Sequence, residues 1–205
     1  MEYPKFFDEI EPIVLYDALA QFVGVNSTGE ITLSYLDIVK TAGHSCGTVA
    51  GAYLCAQMGL KALFPHTLPH RGEIQVEIQK SPTQENAGVV GCVLSNITGA
   101  TTNYGFGGIP TGEYNRRSLL FYEAPITCDI QLTRLDTKDR VQLNYRPQRL
   151  VQPMKILMSA ISPDASMEDK ARFPERFQAM VETIFKEKEQ LVDVVFIPYE
   201  EGDKA

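Results

Sequence analysis

Thr41-Ala42-Gly43-His44-Ser45-Cys46-Gly47-Thr48-Val49-Ala50-Gly51 is the stretch that decides how the chain is read, because a glycine-bounded bend here joins two helical patterns. Upstream, Ser34 can cap a helix carried by Tyr35, Ile38 and Val39, and Gly43 stops it. Downstream, a helix is expected from Thr48 to Phe64, with Ala50, Gly51, Ala52 and Ala56 small enough for close packing. In extended backbone, residues two apart point the same way, so His44 and Cys46 can converge on one ion or substrate. The start of a helix also favours a thiolate over a thiol at Cys46. The plainer alternative is a glycine-rich turn leading into a buried helix.

Working outward, Pro12 followed by Leu15, Ala18, Leu19, Phe22 and Val23 has the spacing of an amphipathic helix with proline in its first turn. Residues 24–29 read as a turn, and Ile31 and Leu33 as a short extended piece. Past the long helix, the prolines at 65 and 69 make a connection. Ile74, Val76 and Ile78 alternate with polar residues and predict a strand with one buried face. A helix is expected over Ala87 to Ile97, then a long Gly/Thr/Asn loop over Thr98 to Gly112. Strands are expected at Leu119 to Tyr122, through Cys128, Ile130 and Leu132, and through Val141, Leu143 and Tyr145, the last two joined by a turn at Asp136 to Asp139. Beyond Pro147 the chain turns helical, with Phe177, Met180, Val181, Ile184 and Phe185 on one face, and Val192 to Ile197 reads as a terminal strand. Helices first, strands next and helices last predict an α+β fold, a mixed or antiparallel sheet packed with helices and a helical C-terminal extension.

The 205 residues are 44% hydrophobic and 22% charged, which allows a real core and excludes disorder. A net charge of −7 argues against a nucleic-acid surface. No apolar run is long enough for a membrane span and no signal pattern opens the chain, so a cytoplasmic protein is expected. Cys46, Cys55, Cys92 and Cys128 show no disulfide-framework spacing. Cys55 and Cys128 sit in apolar patterns and read as small buried hydrophobes.

Gly43-His44-Ser45-Cys46, followed after a helix and a strand by Thr98-Gly99-Ala100-Thr101 and Asn103-Tyr104-Gly105-Phe106, resembles the FmdE family, named for a component of formylmethanofuran dehydrogenase. The likeness covers about residues 34 to 146 and implies a single domain over 1–205, with 147–205 as a helical extension. It also implies an α+β core, a homodimer and a metal site using His44 and Cys46. The chain departs from the family at Cys46-Gly47-Thr48, where Cys-Pro-Gly is usual, and at Ala100, where a cysteine would be a third ligand. Cys92 falls near a position where the family often has Asp. With no cysteine after Cys128, the form expected is the one lacking a C-terminal zinc finger.

Three functions follow from these residues. In the first, a transition metal or cofactor sits at His44 and Cys46, with Cys92 as a further donor; thiolate beside imidazole suits zinc foremost, then iron or haem. His66 and His70 are the other imidazoles, one helix away, and Thr98, Gly99, Thr101 and Tyr104 of the glycine loop are candidate cofactor contacts. In the second, Cys46 is a nucleophile or redox thiol with His44 as base. In the third, the loop with Tyr104, Phe106, Tyr114, Arg116 and Arg117 closes a dimer or walls a pocket for a small anionic ligand.

Overall fold

A computed structural model describes residues 2–200. Its centre is a five-stranded sheet in the order β4-β3-β5-β6-β7, formed by β3 (Ile74–Ile78), β4 (Leu120–Phe121), β5 (Ile130–Arg134), β6 (Arg140–Tyr145) and β7 (Val192–Ile197). β4 runs parallel to β3 and every other neighbour is antiparallel, so the sheet is mixed and the fold α+β. A separate hairpin pairs β1 (Ile13–Tyr16) with β2 (Glu30–Leu33). The helices are α1 (Ala18–Phe22), α2 (Tyr35–Ala42), α3 (Gly47–Leu63), α4 (Ala87–Thr98), α5 (Pro153–Ile161), α6 (Met167–Lys186) and α7 (Lys188–Leu191). Among the described residues no helix is long and apolar enough to cross a membrane.

The helix expected after Pro12 is corrected. Ile13, Val14, Leu15 and Tyr16 form a strand registered against Leu33, Thr32, Ile31 and Glu30, and helix begins only at Ala18. β-branched and aromatic residues favour the pleated surface, and that preference, with a partner strand available, outweighs the three-and-four spacing. Asp17 then caps the short helix, its Oδ1 accepting from the amides of Leu19 and Ala20.

α2 begins and ends as its sequence dictates. Ser34 and Asp37 form a reciprocal capping box, and Gly43 closes the helix in the left-handed conformation at φ 77°. α3 is buried on nearly all sides and packs on β5, β6 and β7 as well as on α4 and α6. Gly59 sets its distance from the sheet, because a Cβ there would meet Leu132 and Leu143 δ-carbons within 2.9 Å. Of the C-terminal helices, α6 is integral to the core: Met180, Val181 and Ile184 are buried, and the Phe185 ring packs edge-on to Tyr35 at 4.6 Å. β7 then pairs along the whole of β6 and completes the sheet.

Candidate functional site

The bend from Gly43 to Gly47 does not aim its two candidate ligands at one cleft. His44 is exposed, with its Nδ1 3.0 Å from the Ala42 carbonyl, and it lines a cleft with Cys92, Pro82, Glu85 and Asn96. Cys46 is half-buried, sits at the N-cap of α3 and packs against the core instead. Ser45 between them is braced from both directions: its hydroxyl is 2.9 Å from the Tyr35 hydroxyl, and its carbonyl accepts from Gln178 Nε2 of α6 at 3.1 Å. The structure therefore brings His44 together with exposed Cys92, and Cys46 close to Tyr35 and Tyr145, whose phenols are held well above their ordinary range by burial.

Thr98, Gly99 and Thr101 make contacts within the fold, and the remaining sequence candidates are dispersed. The Thr98 hydroxyl donates to the Leu94 carbonyl and accepts from the Ala100 amide, and Gly99 terminates α4 in the left-handed conformation. Thr101 donates to the Arg116 carbonyl at 2.8 Å, while Tyr104 stands 77% exposed. His70 pairs with Glu73. Both His66 and His70 follow the far end of α3, whose 17 residues span about 25 Å at the usual rise. Cys55 and Cys128 are buried as expected, and burial pushes the Cys55 thiol up to about 12.

A structural zinc ion needs four N or S donors and a catalytic one three. Among the described residues no three His, Cys, Asp or Glu side chains gather closely enough to hold a metal ion. The donors present thus do not fit the metal that the family resemblance implies.

What the fold does build is a cavity of about 400 Å³ between the beginnings of α3 and α4 and the ends of β3, β5 and β6. Its apolar wall includes Ala52, Cys55, Ile78, Val90 and Ile130, and its polar rim Thr48, Lys80, Glu85, Asn86, Asp129 and Arg146. Tyr145, the last residue of β6, also lines it. The ring lies across α3 at Gly51, where an added Cβ would collide with Tyr145 Cε1. The Tyr145 hydroxyl is buried and has no hydrogen-bond partner among the described residues. Buried polar atoms are nearly always paired, so this phenol stands out.

Asn86 and Cys46, the residues at the two helix starts, do not cap their helices with their side chains. The Asn86 amide instead donates to Thr48 Oγ1 at 3.1 Å and ties the two starts together. Arg146 is spent on Asp129, Asn144 Oδ1 and the Tyr145 carbonyl. Lys80 pairs with Glu85, at 2.7 Å, and Glu85 adopts φ 50°, a conformation side-chain-bearing residues rarely take. Sequence reading misses this cavity: Asn86 ahead of a helix and Gly51 within one are visible, but nothing local says that Tyr145 crosses Gly51.

No family model matches this sequence, and no curated protein matches it either. The backbone is similar to that of a solved FmdE-like protein, of the tungsten formylmethanofuran dehydrogenase, from Syntrophus aciditrophicus, at 11% identity and a TM-score of 0.42, over 84% of this chain and 78% of that one. That protein carries the name of the family the two motifs resemble, but a likeness this loose carries no metal, activity or partner across.

Proposed function

We propose that this chain is a binding protein for a small organic ligand or cofactor, held in the cavity between the starts of α3 and α4. The observation that carries the reading is the cavity of about 400 Å³ itself, with its apolar floor, its polar rim and Tyr145 on its wall. A cavity of this size falls in the usual range for small-molecule sites, with a mostly apolar lining and a few polar groups to fix orientation. Cys46, beside Tyr35 and Tyr145, lies behind this wall, so the motif that dominates the sequence shapes the site by starting α3 where it does.

The reading is tested with two small probes of one shape, benzoate and benzamide, by titration calorimetry. Val90→Trp places an indole in the cavity and is expected to weaken the tighter probe more than tenfold, with the circular dichroism spectrum unchanged. Binding that survives Val90→Trp unaltered contradicts the assignment.

A further inference from the structure

We infer that hydrogen bonds and packing hold the bend from Gly43 to Gly47 in place of a metal ion, and that α6 supplies the clamp. A shared ion fixes a bend by drawing its side chains to one point, and it contributes folding energy directly. Here the side chains part. The His44 ring is exposed, with its Nδ1 3.0 Å from the Ala42 carbonyl, while Cys46 packs on the core at the start of α3. Ala100, where the family resemblance places a third donor, is fully buried within the apolar core.

The bend has other ties. The Gly43 amide donates to the Val39 carbonyl at 2.8 Å as α2 closes. Ser45 carries two more: its hydroxyl lies 2.9 Å from the Tyr35 hydroxyl, and its carbonyl accepts from Gln178 Nε2 at 3.1 Å. Both partners are firmly seated. Tyr35 is fully buried, and its ring packs against Phe7, Tyr53 and Phe185 at 5.0, 5.5 and 4.6 Å. Gln178 stands on α6 just ahead of the buried residues Met180 and Val181. It is 133 positions beyond Ser45 in the chain and outside the residues 34 to 146 that carry the family likeness. Ser45 is thus where α2, the bend and α6 are tied together, and the tie from α6 comes from the C-terminal extension.

Melting curves and a zinc titration test the two halves separately. Excess EDTA is expected to leave the melting temperature of the parent unchanged. Gln178→Leu, which leaves the Ser45 carbonyl without its donor, is expected to lower it by about 4 °C, and Tyr35→Phe, which keeps the ring, by about 2 °C. In competition with a chromophoric zinc indicator, the parent, His44→Ala and Cys46→Ser are expected to behave alike. One equivalent of zinc held by the parent and lost in both His44→Ala and Cys46→Ser would overturn the inference, as would a melting temperature that falls in EDTA. Those measurements on the parent need no variant to fold. A Gln178→Leu protein as stable as its parent would overturn the role of α6.

Discussion

Asp17→Ala should destabilise the fold by about 3–5 kcal/mol, the cost of leaving buried guanidinium charge uncompensated. The carboxylate is only 4% exposed, and its Oδ1 accepts from Arg116 Nη2 at 2.7 Å while Oδ2 accepts from Arg71 Nη1 at 2.8 Å. Arg71 also donates to the carbonyls of Asn96 and Ile97 at the end of α4, so one side chain ties α1 to α4 and to the loop before β4. Gly72, at φ 89°, exists to admit this arrangement, since a Cβ there would collide with Arg116 Nη1. Burial alone would raise the Asp17 carboxyl, but the hydrogen bond from Arg71, the Arg116 charge and the Ala20 amide together hold it below its ordinary value. A depressed carboxyl stabilises the fold above its unfolded value of about 3.9, and that contribution is lost as pH falls through the folded value. Urea unfolding at pH 7 and at pH 3 measures both effects: the gap between parent and Asp17→Ala should shrink in acid. A loss under about 1 kcal/mol at pH 7 would show that the network is ornamental.

Gly51→Leu should destabilise by about 3 kcal/mol, at the upper end of what overpacking costs. The smaller change to alanine shows how the opposing effects balance. Alanine gains about 1 kcal/mol of helix propensity over glycine, but its methyl would collide with three atoms of the Tyr145 ring. The ring has to leave α3, and the cavity wall moves with it. Alanine is therefore expected to be net destabilising by about 1 kcal/mol and leucine by more. Equilibrium denaturation followed by tyrosine emission suits a chain without tryptophan. An alanine variant more stable than its parent would mean that the ring does not rest on Gly51.

Much of the fold is legible in the sequence because the signals are local. The Ser34–Asp37 box and Gly43 fix α2 within a few residues of chain, the alternation of Ile74, Val76 and Ile78 gives β3, and the terminal strand Val192–Ile197 matches its expected limits. Ile13 to Tyr16 misleads because its helical spacing and its β preference conflict, and only the partner strand Glu30–Leu33 settles the conflict. The candidate site is less legible for a related reason. His44 and Cys46 are two apart, but the direction of each depends on the bend. The Ala42 carbonyl holds the imidazole, while Tyr35 and Gln178 hold the residue between. The cavity depends on contacts between α3 and residues more than thirty positions away, with Tyr145 meeting Gly51 and Asn86 meeting Thr48. Composition and spacing do not encode such meetings.

Amide chemical-shift mapping during a benzoate titration probes the site most directly. Shifts concentrated on Thr48, Gly51, Ala87 and Val90, with Tyr145 among them, are the predicted result. Shifts confined to the cleft of His44 and Cys92, with the α3–α4 cavity silent, would contradict it.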